Sequence, residues 1–138
     1  MSERLLRYRK KISILIEKLV GIPKKIDSDI AKDAALFRIH IAIEAAMDIA
    51  AMLVKDHGRD VSDDYHNIEM LVDIKTLDSS LAEQLKKLNG LRNAIIHKYN
   101  KFEEKTVFEN KEKIVSTLKK FLSVIDHELK TLFGKAAE

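Results

Sequence analysis

The sequence predicts an all-α fold: an antiparallel up-and-down bundle of four long helices plus one short helix, in a single domain over residues 1–138. Three observations predict it. The 138 residues contain only one proline and four glycines, so there are few places to turn the chain, which favours long helices over many short strands. Apolar residues recur at helical spacing in several segments, and no stretch alternates with the two-residue period of a strand. With 46% apolar and 34% charged residues, the composition is that of a globular chain able to bury a core.

The first helix is marked by Leu5, Ile12, Leu15, Ile16 and Leu19, and Gly21–Ile22–Pro23 ends it. Asp27 or Ser28 then offers an N-cap for a second helix running to Lys55 or Asp56, with Gly58 as the stop just past it. From Ala34 to Val54 this helix is apolar almost all round, so it belongs at the centre of the bundle, and its many alanines allow neighbours to approach closely. His40, Glu44 and Asp48, spaced four apart, form one narrow polar stripe on it. The stripe reads either as a solvent-facing seam or as the wall of a polar cleft shared with the third long helix.

Residues 58–77 form a polar connection that holds one short helix around Tyr65 to Val72. Ser80–Leu81–Ala82–Glu83 has the pattern of a capping box and opens the third long helix, which continues to about His97 or Tyr99. Thr106–Val107–Phe108–Glu109 repeats that pattern and opens the fourth, which runs to Phe133 before Gly134. No internal repeat and no low-complexity tract interrupts this order.

Composition also removes several functions. Without cysteine there can be no disulfide scaffold, thiol catalysis or Cys-type zinc site. The histidines are scattered, and His40 with Glu44 makes only two ligands, so no metal site and no cofactor is expected. Neither a glycine-rich phosphate loop nor a Gly-x-Ser-x-Gly elbow is present. The net charge of +3 leans only mildly toward anionic partners. Lysine pairs at 10–11, 24–25, 86–87 and 119–120 are dispersed along the chain, which reads as helix-surface charge rather than one nucleic-acid groove. The N-terminal segment is charged and the longest apolar stretch, residues 41–54, is broken by Glu44 and Asp48. A cytoplasmic protein without a membrane span is therefore expected.

The stretch carrying chemistry is "LRNAIIHKYN", residues 91–100. Asn93 and His97 stack one turn apart, whereas Arg92 and His97 point about 140° away from each other on an ideal helix. They can serve one site if the long arginine sweeps round, if the helix loosens after Ile96, or if a second subunit completes the site. Histidine exchanges protons near neutral pH, and the arginine fork grips two phosphate oxygens. Together they suit cleavage of RNA by attack of a ribose 2′-OH.

"RNAIIHKY" resembles the RxxxxHxY signature of HEPN domains, in particular HepT-like toxins of toxin–antitoxin pairs. The similarity extends to "LFRIHIAIEAAMDIA" in the second helix and "LKKLNGLRNAIIHKYNKF" in the third, and so covers most of the chain. It implies a homodimeric helical bundle acting as a metal-independent endoribonuclease on RNA, partnered by a minimal nucleotidyltransferase antitoxin that transfers AMP to the motif tyrosine. Under that resemblance Arg92 and His97 are catalytic, Asn93 supports them, Tyr99 is the AMP acceptor, and Glu44 and Asp48 match polar positions of the second helix. The segment "NKFEEKTVFE" after the motif departs from the family pattern in being more charged. A non-catalytic helical adaptor, binding nucleotide or a nucleotidyltransferase through the same surface, is the alternative.

Overall fold

A computed structural model describes residues 2–97 and 104–137. In chain order its helices are α1 (Glu3–Val20), α2 (Asp29–Asp56), α3 (Asp64–Asp73), α4 (Ser79–His97), α5 (Glu104–Glu109) and α6 (Lys111–Phe133), followed by a 3₁₀ turn over Gly134–Ala137. The described residues contain no strand. Four helices are long, as the breaker count implied.

Capping sets most of the starts. Ser2 Oγ accepts from the Leu5 N–H at 3.1 Å, and Ser28, rather than Asp27, accepts from the Ala31 N–H at 3.1 Å to open α2. Two expected starts are corrected. Asp78 caps α4, its Oδ1 accepting from the Leu81 N–H at 2.7 Å, and this places Ser80 inside the helix. Thr106 likewise lies inside the short α5, where its carbonyl oxygen accepts from Asn110 Nδ2 at 2.8 Å. That side chain ends α5 and leaves α6 to begin at Lys111, so the predicted fourth long helix is two helices.

α2 is the central element, packing against α1, α3, α4 and α6. Ala35, Ala42, Ala46 and Ala50 are all but fully buried on it, interleaved with Ile39, Ile43, Ile49 and Leu53. The small side chains let the neighbouring backbones close in, and the large ones fill the remaining space. A similar close approach occurs at Gly21. The Arg38 guanidinium donates to the Glu17 carbonyl at 3.3 Å and lies over Gly21, where a Cβ would push it aside.

Long-range contacts fix the direction of each long helix. The start of α1 meets the end of α2, where the Tyr8 hydroxyl donates to Asp56 Oδ2 at 2.6 Å and Arg4 pairs with Asp56 at 2.8 Å. Burial, then the bond to Asp56, pushes the Tyr8 phenol well above its ordinary range, so it stays a neutral donor. The same end of α1 meets the end of α6 through the edge-on contact of Tyr8 with Phe133. Thr117 of α6 donates to Gln84 of α4 at 3.2 Å, and Lys111 reaches back to the Pro23 and Lys24 carbonyls after α1. The long helices therefore alternate in direction in the order α1–α2–α4–α6. This places the C-terminal ends of α1 and α4 and the start of α6 at one end of the bundle.

No helix among the described residues is long and apolar enough to cross a membrane.

Candidate active site

Arg92 lies on α4, the helix that ends at His97. Its guanidinium is turned toward α3. Nη2 donates to Asn93 Oδ1 at 3.0 Å and lies 3.6 Å from Asp64 Oδ2, close enough for an ion pair but too long for a hydrogen bond. The side chain is 18% exposed, and its Nε is buried without a hydrogen-bond partner. One arm of the fork is thus tethered while another donor is unused. A guanidinium held in this way is oriented before any anion arrives.

Asp64 and its neighbour Tyr65 were not singled out from the sequence. They sit at the start of α3, where Asp63 is the N-cap, its Oδ1 accepting from the His66 N–H at 2.8 Å. The Tyr65 hydroxyl lies against α4 at Gly90, 3.4 Å from where a Cβ would stand, an ordinary contact distance. The "DDYH" run carries a capping signal, but nothing in it states which face of α4 the short helix covers.

The polar stripe of α2 joins this cluster. Burial raises the Asp64 carboxyl above its usual range; the Arg92 charge opposes the rise, and the like charges of Asp48, Asp63 and Glu44 add to it. Glu44 and Asp48 therefore lie within electrostatic reach of Asp64, so α2 and the start of α3 supply the acidic groups near Arg92 of α4. Both stripe carboxylates are nearly half exposed, so the stripe faces solvent while lying on the side of α2 turned toward Asp64. Each of the two carboxylates also has a nearer partner, with Lys11 of α1 2.8 Å from Asp48 and His40 3.6 Å from Glu44.

Because the folded-state pKa of Asp64 is raised above its unfolded value, the linkage works against stability at neutral pH. Stability is greater below the unfolded value and falls as pH rises through the folded one. Asp64→Asn should therefore melt higher than wild type at pH 7, and the gain should vanish in strong acid, where both side chains are neutral. Thermal melts at both pH values check this, and a lower melting temperature at pH 7 would show the ion pair outweighing burial.

His97 is the last residue of α4 and is exposed. The helix continues through His97, and the residues that follow lie outside the described ones. His97 stands about 140° round the axis from Arg92 and about 7.5 Å further along it. Ile96, one turn beyond Arg92 on nearly the same line, is 44% exposed. Tyr99 lies outside the described residues.

The fold defines the class: a small all-α helical bundle, with a partly buried arginine on the helix that presents an exposed histidine. The family model described as "Ribonuclease HepT-like" matches residues 14–125, and the chain belongs to that ribonuclease family. An Archaeoglobus fulgidus protein described as a "Putative RNase" is 40% identical over 126 residues, covering 91% of this chain and 96% of its own. YutE, a cytosolic protein of unknown function from Bacillus subtilis, superposes with a TM-score of 0.82 at 21% identity over 93% of this chain and 92% of its own. A tri-AMPylated Shewanella oneidensis HEPN toxin in complex with MNT antitoxin superposes with a TM-score of 0.78 at 18% identity, over 92% and 99%. The two solved structures share the fold; the family membership rests on the sequence.

Proposed function

We propose that the protein is a cytoplasmic, metal-independent endoribonuclease toxin whose working form is a homodimer. His97 takes the proton from a ribose 2′-OH, and Arg92 holds two oxygens of the phosphate that the hydroxyl attacks. Asn93 and Asp64 orient Arg92, and the Glu44–Asp48 stripe lies beside the cleft. The P–O bond to the 5′ oxygen breaks and that oxygen gains a proton, leaving 2′,3′-cyclic phosphate and 5′-hydroxyl ends.

The observation that carries this reading is the guanidinium tethered at Nη2 by Asn93 and Asp64 on the helix that ends at His97. The two groups diverge around an unbroken α4, which favours a site completed across a two-fold axis, Arg92 of one subunit working with His97 of the other. Exposed Ile96, on the Arg92 side of the helix, supplies an apolar surface for that pairing. Tyr99, two residues past His97, is the proposed AMP acceptor. A nucleotide added there by a minimal nucleotidyltransferase antitoxin would fill the cleft with bulk and negative charge.

Purified protein incubated with RNA in EDTA should release fragments bearing cyclic-phosphate and 5′-hydroxyl ends, assigned by end-specific labelling. Cleavage that needs an added divalent ion, or that leaves 5′-phosphates, would contradict the mechanism.

A further inference from the structure

A large groove of the fold lies away from Arg92. It is a groove of about 660 Å³ between the C-terminal end of α1 and one face of α6. Leu19, Val20, Ile22 and Val115 floor it, and Lys24, Lys111, Lys119 and Lys120 line it, opposed by the single carboxylate of Glu112. On α6 the lining runs from Lys111 to Ser123, a stripe about 18 Å long at 1.5 Å per residue. The fold thus draws together lysines that lie far apart in the chain. Lys24 and the 119–120 pair, dispersed along the chain, thus share one groove, while Lys25 is not part of its lining.

Two features bear on what this groove could hold. Among the described residues, none of the four forms an ion pair with a carboxylate, and the fold gathers them on one groove. Lys111 has a structural role, donating to the Pro23 and Lys24 carbonyls at 3.1 and 2.9 Å. Lys24, Lys119 and Lys120 are exposed, and Glu112 is the one carboxylate that shares the groove with them. The second feature is the contrast with the catalytic cleft. There one arginine faces Asp64, with Glu44, Asp48 and Asp63 close by. A polyanion gains little net attraction from such surroundings, so its electrostatic affinity must come from elsewhere on the molecule.

We infer that the α1–α6 groove is a docking site for the phosphate backbone of single-stranded RNA. The inference rests on the reading of the protein as an RNA-cleaving enzyme. Helix directions place the mouth of the groove, at Lys24 and Lys111, at the same end of the bundle as His97, so one strand can occupy both. The groove supplies affinity without sequence readout, because lysines contact phosphates as point charges and its walls carry no aromatic ring for stacking.

The test measures binding of a labelled single-stranded RNA in EDTA by fluorescence anisotropy across a salt series, with cleavage followed separately. The variant K24Q/K119Q/K120Q spares Lys111 and so leaves its carbonyl bonds in place. Its log–log salt slope should be shallower than wild type by about 2, at roughly 0.7 per neutralised phosphate for three lysines. KM for RNA should rise with kcat unchanged. K10Q/K55Q/K135Q, which makes the same charge change on exposed positions elsewhere, should keep the wild-type slope. Equal loss of slope in the two triples, no loss in the first, or no RNA binding by wild type would overturn the docking site. Lysine-dependent binding of polyglutamate with RNA affinity unchanged would reassign the groove to an acidic protein partner. Lysine-dependent RNA binding without cleavage would sink the catalytic reading and leave the groove standing.

Discussion

His97→Ala should lower the rate of RNA cleavage by about 10²- to 10⁴-fold, the range typical for loss of a positioned general acid–base group. The physical basis is that an imidazole can take and return a proton near neutral pH, a task the Arg92 guanidinium cannot share. Arg92 stays charged, and the Asp64 carboxylate is its ion-pair partner. The fold should survive the change. His97 is exposed at the last position of α4, and its removal opens no cavity, so the loss of stability should remain within about 0.5 kcal/mol. RNA affinity should hardly move, which locates the effect in kcat. A His97→Ala protein that cuts at the wild-type rate would remove His97 from the reaction.

Arg92→Ala should reduce kcat by about 10²- to 10³-fold, comparable with removing one preorganised donor from a developing oxyanion. Arg92→Lys should recover little of this. Lysine keeps the charge but not the planar fork, and it cannot bond Asn93 through one arm while presenting another to phosphate. Loss of Arg92 also removes the one cation that opposes the rise of the Asp64 carboxyl, so that group should titrate higher still in the variant. Activity should therefore be compared on protein shown to be folded by its melting curve. Wild-type kcat in Arg92→Ala would leave Arg92 only a structural ion pair.

Much of the fold was legible in the residues themselves. The central place of α2 followed from its all-round apolar surface and its alanines, which are now buried against its neighbours. Gly21 and Gly58 marked real stops. The errors were local competitions between caps. Ser80 with Glu83 fits a capping box, yet Asp78 two residues earlier reaches the Leu81 N–H first. Thr106 with Glu109 fits as well, but the Asn110 side chain folds back on the Thr106 carbonyl and breaks the helix there.

The site divided along a similar line. Arg92, Asn93 and His97 are neighbours on one helix, so a local pattern sufficed to find them, and the four-residue spacing placed Glu44 and Asp48 on one stripe. Asp64 and Tyr65 reach Arg92 and Gly90 only through the packing of α3 on α4, a tertiary fact that no spacing encodes. The lysine groove was hidden for the same reason, because Lys24 and Lys119 meet only when α1 and α6 lie side by side.

The most direct test of the account is to combine the two inactive variants. Arg92→Ala and His97→Ala subunits, co-expressed so that they pair at random, should regain about a quarter of wild-type cleavage. Half of such dimers are mixed, and each mixed dimer holds one intact pairing of arginine and histidine across the two-fold axis. Mixed dimers that form but cut no faster than either variant alone would contradict a site shared between subunits.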